Sequence, residues 1–64
     1  MRKWDVFFYG RNDGRGFASA RTFSEAYDRA EEAILAGYEF ADICDAASGK
    51  CFCTVDAHLV PHEM

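Results

Sequence analysis

A chain of 64 residues has room for one domain, spanning 1–64, and at this size folding buries only about 60% of the surface the unfolded chain exposes, so its stability margin is thin. Half of its residues are apolar and ten are aromatic, which excludes a disordered segment. No apolar run approaches the ~20 residues needed to span a bilayer. The charged start is followed by a strand-length run rather than a secretory core, and the cysteine count of three is odd, so the expectation is a cytoplasmic protein with at least one free thiol.

The net charge of −4 is unevenly spread: residues 1–21 sum to +3 and residues 22–64 to −7. Such asymmetry speaks to partners rather than to fold.

From Trp4 to Tyr9 the chain reads W-D-V-F-F-Y, aromatic and β-branched, and Asn12-Asp13-Gly14 supplies turn chemistry. A hairpin follows. With Arg11 opposite Arg15, Tyr9 faces Phe17, Phe7 faces Ser19 and Asp5 faces Arg21; the other side of the ribbon carries Trp4, Val6 and Phe8 against Ala18, Ala20 and Thr22.

Thr22-Phe23-Ser24-Glu25 is a capping-box pattern that starts a helix, and Gly37 is its left-handed stop. Phe23, Ala26, Tyr27, Ala30, Ala33 and Ile34 fall on one side of it. Glu25, Asp28 and Glu32 occupy the opposite side, with Arg29 expected to pair with Glu25.

Tyr38 to Asp45 and Lys50 to Ala57 read as a second hairpin around an Ala47-Ser48-Gly49 turn. In that register Ile43 faces Cys53 and Ala41 faces Val55 inside, while Asp42 faces Thr54 and Cys44 faces Phe52 outside. A Cys44–Cys53 disulfide is not expected, because it would need a one-residue slip that turns Asp42 inward. Residues 58–64 form an irregular tail. The predicted fold is α+β: an antiparallel sheet of three to four strands with one helix packed on one face, in the order β-β-α-β-β, or β-α-β-β if the second strand does not pair.

Cys51, Cys53, His58 and His62 have the donor types of a zinc site, but Cys-x-Cys within a strand does not aim both sulfurs at one ion, so no metal and no cofactor are expected. Catalytic residues are not identified either: Cys44 and His58 lack an orienting third group, and a small sheet with one helix leaves little volume for a walled pocket.

Gly14 to Phe23, G-R-G-F-A-S-A-R-T-F, resembles the RNP1 strand of RNA-recognition motifs, breaking from that pattern at Ser19. Phe7, Tyr9, Phe17 and Phe52 would then line one sheet face able to stack single-stranded bases. The acidic balance opposes polyphosphate, so direct nucleic-acid binding is not the expectation.

Thr22-Phe23-Ser24-Glu25-Ala26, the helix end Ala36-Gly37-Tyr38 and Asp45-Ala46-Ala47-Ser48-Gly49 together resemble small phage and mobile-element proteins of β-β-α-β-β type. That family includes acidic anti-CRISPR inhibitors, which act without catalysis by occupying nucleic-acid channels of host defence complexes. The resemblance implies a non-enzymatic, protein-binding inhibitor that blocks a basic site of a host nucleoprotein complex in the host cytoplasm. Glu25, Asp28, Glu32 and Asp42 are the expected partner contacts, supplying charge rather than chemistry. The alternatives are a single-stranded nucleic-acid stacking module using Phe7, Phe17 and Phe52, and a structural homodimer closed through the aromatic face; monomer and dimer both stay open.

Overall fold

The computed structural model describes residues 3–10 and 14–63. Five strands and one helix follow in the order β1 (Trp4–Tyr9), β2 (Arg15–Ala20), α1 (Phe23–Leu35), β3 (Phe40–Asp45), β4 (Cys51–Val55) and β5 (Pro61–Glu63). They form a single antiparallel sheet in the order β2-β1-β3-β4-β5, with α1 lying over β2, β1 and β3. The α+β architecture with one helix on one face is as the sequence predicts, and the second strand pairs.

The sheet has one strand more than predicted. Pro61–Glu63 is not irregular tail but adds to β4, with Val55 opposite Pro61 and Cys53 opposite Glu63. A three-residue strand beginning at proline carries no sequence signature of its own, and an edge position lets Pro61 do without a ladder donor. Asp56 shapes the connection. Its Oδ1 accepts from the amides of His58 at 2.9 Å and Val60 at 3.2 Å, and its Oδ2 meets His62 Nε2 at 2.8 Å.

The first hairpin is two residues out of its expected register. Tyr9 faces Arg15, Phe7 faces Phe17 and Asp5 faces Ser19, and the Gly10 amide donates to the Gly14 carbonyl at 2.7 Å. Arg11, Asn12 and Asp13 of the expected turn lie outside the described residues. A shift by two keeps every side chain on its predicted face while changing its partner. Tyr9 opposite Phe17 and Asp5 opposite Arg21 are therefore corrected.

Helix α1 begins and ends where local chemistry dictates. Thr22 Oγ1 accepts from the Glu25 amide at 3.1 Å, and at the far end Gly37 N–H bonds Ile34 O while Tyr38 N–H bonds Ala33 O, each at 3.1 Å. With Gly37 at φ 119, this is the paired closure of a Schellman motif.

The helix presents Ala26, Ala30, Ala33 and Ile34 to the sheet, and alanines let the two layers approach closely. Beneath them are Val6, Ala20, Ala41, Ile43, Cys53 and Val55, all buried. Helix α1 covers this face because Gly16, Ala18, Ala20 and Ala41 leave room for it, whereas the opposite alternation carries Ser19 and Asp42, whose polar groups would be costly to seal away.

Candidate functional site

Alternation places three rows of side chains on the face that α1 does not cover. Arg15, Tyr9 and Phe40 form the first, Phe17, Phe7, Asp42, Thr54 and His62 the second, and Ser19, Asp5, Cys44 and Cys51 the third. Rings meet within the first two rows. Tyr9 stacks on Phe40 with centroids 4.7 Å apart and an interplanar angle of 20°, and Phe7 tilts against Phe17 at 5.3 Å. Phe7, Phe17 and Phe40 remain 36%, 52% and 39% exposed, far more than core phenylalanines retain.

Asp42 borders this aromatic surface, with Phe7 across from it on one side and Thr54 on the other, and its carboxylate accepts from Thr54 Oγ1 at 2.7 Å. One hydrogen bond fixes its orientation and leaves acceptor capacity toward solvent.

The register of β4 departs from prediction between Ile43 and Cys44. Ala41, Asp42 and Ile43 face Val55, Thr54 and Cys53 as expected, but Cys44 then faces Cys51 rather than Phe52, because a bulge absorbs Phe52. Two consequences follow. Cys44 and Cys51 form a disulfide, and Phe52 turns to the helix side, where its ring meets Trp4 edge to face at 5.9 Å and Lys50 Nζ stands 5.5 Å from its centroid. Phe52 thus does not belong to the uncovered aromatic face; Phe40 holds that place instead. Phe40 was legible from the sequence, since it shares an alternation with Asp42. The disulfide was not, because the alternation of a regular ladder puts the two sulfurs on opposite faces.

Cys53 remains a free thiol, buried on the helix side, and that burial raises its pKa. With Cys51 bonded to Cys44 and Cys53 turned to the helix, the four zinc-type donors do not converge, and among the described residues no group of three or more metal-ligating side chains is assembled.

The four carboxylates expected to act together are divided. Asp28 and Glu32 are exposed on α1 and Glu25 is half-buried there, but Asp42 lies on the far side of the sheet from the helix. Arg29 pairs with Glu32 at 3.4 Å rather than with Glu25. Both spacings reach an adjacent turn, and an exposed pair of this kind is worth only tenths of a kcal/mol.

A cleft of about 680 Å³ opens where the helix stops short of β4 and β5, lined by Phe23, Tyr27, Phe52, Cys53, Pro61 and Glu63. Tyr27 anchors its floor by donating its hydroxyl to the Leu59 carbonyl at 3.0 Å. Among the described residues no helix is long and apolar enough to cross a membrane.

Comparison of the chain with protein-family models, with curated proteins and with solved structures finds no match.

Proposed function

We propose that this protein acts by binding another protein, without catalysis, through the sheet face that α1 leaves uncovered. The observation that carries this reading is the pair of ring contacts, Phe7 with Phe17 and Tyr9 with Phe40, half-exposed beside the oriented carboxylate of Asp42. A contiguous aromatic patch bordered by an oriented polar group has the composition of an interface, with an apolar core and a polar rim, where aromatic anchors carry most of the binding energy. The partner it suits is apolar and basic. Asp28 and Glu32, on the opposite side of the molecule, would steer approach rather than make the contact.

In its specific form, the partner's basic surface is a nucleic-acid-binding site and the protein is an inhibitor of anti-CRISPR type. The resemblance in the sequence supports that form, and the arrangement of the face supports the general one. The test is binding to candidate nucleoprotein complexes with three variants. Phe7→Ala and Asp42→Asn are each expected to weaken binding by about tenfold or more, whereas joint reversal of Glu25, Asp28 and Glu32 to Lys should chiefly slow association. If the helix reversal abolishes binding while Phe7→Ala leaves it intact, the helix is the interface and the sheet-face reading fails.

The base-stacking alternative draws on the same rings, with Phe40 in the place expected for Phe52. Asp5 and Asp42 on that face oppose a polyphosphate. A gel shift with single-stranded DNA and RNA at low salt separates the two readings, since only a stacking module retards the oligonucleotide.

A further inference from the structure

We propose that the Cys44–Cys51 disulfide is a redox latch on strand register, and that its reduction moves Phe52 from the helix side of the sheet to the uncovered face. Three pairs, Ala41 with Val55, Asp42 with Thr54 and Ile43 with Cys53, set the ladder between β3 and β4. Continued without interruption, that ladder would put Cys44 opposite Phe52 and Asp45 opposite Cys51, with Cys44 on the uncovered face and Cys51 toward the helix. A strand's side-chain period of two makes the disulfide and the regular ladder mutually exclusive. The structure has the disulfide and therefore the bulge.

Besides the covalent bond, the bulged form has turn hydrogen bonds, among them Ala47 N–H to Asp45 Oδ1 at 2.9 Å and Lys50 N–H to Ser48 Oγ at 3.2 Å, but it packs Phe52 loosely. Phe52 is still 42% exposed on the helix side, and its ring contacts there are an edge with Trp4 and the Lys50 ammonium. The turn can serve both registers. In the bulged form Asp45 N–H bonds Lys50 O at 2.8 Å and Gly49 N–H bonds Asp45 O at 2.7 Å; in the regular form Ala47-Ser48-Gly49 becomes a three-residue turn with Gly49 already at φ 77. Only the stretch from Cys44 to Phe52 has to rearrange.

Cys44 is 1% exposed, whereas Cys51 is only partly buried, so a reducing dithiol attacks the Cys51 sulfur. The S–S bond breaks and Cys44 leaves as a thiolate that takes up a proton. The second thiol of the reductant then displaces Cys51, which leaves as a thiol, and the reductant departs as its own disulfide. Two electrons and two protons pass from the dithiol to the protein. In the reduced form Phe52 stands beside Cys44 and extends the aromatic face across β4, and the cleft beside Phe23 and Tyr27 opens.

The effect on binding rests on the partner-binding reading above; the register change does not. The test is NMR of the oxidised protein and of the protein reduced with dithiothreitol. Reduction is expected to abolish contacts between the Phe52 and Trp4 rings and to exchange the cross-strand contact of Cys44 from Cys51 to Phe52, with far-UV circular dichroism retained. The double variant Cys44→Ala, Cys51→Ala should show the reduced pattern without reductant. Deleting Phe52 removes the bulge residue, so that variant should form the disulfide and keep its register on reduction. Persistence of the Phe52–Trp4 contacts in the reduced wild type, unfolding on reduction, or the same register change in the deletion variant would each overturn the latch. If register changes and partner affinity does not, the latch stands and the sheet face is not the binding surface.

Discussion

Tyr38 closes over Gly16: a Cβ at position 16 would lie 2.8 Å from Tyr38 Oη and 2.7 Å from Phe8 Cδ2. The contact joins the segment after the helix to β2, and Phe8 also packs against the core, so a methyl group there cannot be absorbed by one flexible side chain. Gly16→Ala should cost about 1–3 kcal/mol through overpacking. For a domain of this size each kcal/mol lowers the melting temperature by about 4–8 °C, which thermal denaturation reads directly. An unchanged melting temperature would show that the Tyr38 ring moves aside freely.

The bond from Tyr27 to Leu59 O ties the helix to the turn before β5. Leu59 adopts φ 61, an uncommon conformation for a branched side chain, and its packing against the core helps to hold it there. Tyr27→Phe should lose about 1 kcal/mol. Amide exchange is expected to speed up at Val60, His62 and Glu63 and to stay slow in β1 and β3; uniform acceleration would show that β5 does not open separately.

Acid should loosen the same hairpin. The His62 ring, first, and the Val60 and His58 amides hold the Asp56 carboxyl below its ordinary pKa. A lowered folded pKa means that this contribution is fully present above the unfolded value of about 3.9 and is lost as pH falls below it through the folded pKa. Backbone amide shifts of His58 and Val60 should therefore titrate below about pH 4, and Asp56→Asn should remove that titration.

Ile43 is fully buried at the centre of the sheet. Ile43→Ala should cost about 2–5 kcal/mol, comparable with the ~3–5 kcal/mol that a core of this size supplies. Loss of a cooperative thermal transition is expected. Ile43→Val should keep one, at a lower temperature; two indistinguishable melts would show that the core lies elsewhere.

What the sequence by itself determined is what short-range chemistry controls. Thr22 and Gly37 bound the helix because capping involves neighbours three or four positions away, and Phe7 and Phe17 share a face with Tyr9 and Asp42 because alternation depends only on parity. Even the two-residue error in the first hairpin left those faces intact. The tertiary structure alone decided which face the helix covers, that Pro61–Glu63 adds a strand to β4, and that a bulge at Phe52 brings Cys44 against Cys51. These depend on small residues fitting beneath α1, on an edge of β4 open to pairing, and on a covalent bond whose cost in ladder geometry no local pattern encodes. The separation of Asp42 from Glu25, Asp28 and Glu32 has the same origin: charge can be counted along a chain, but a sheet has two sides.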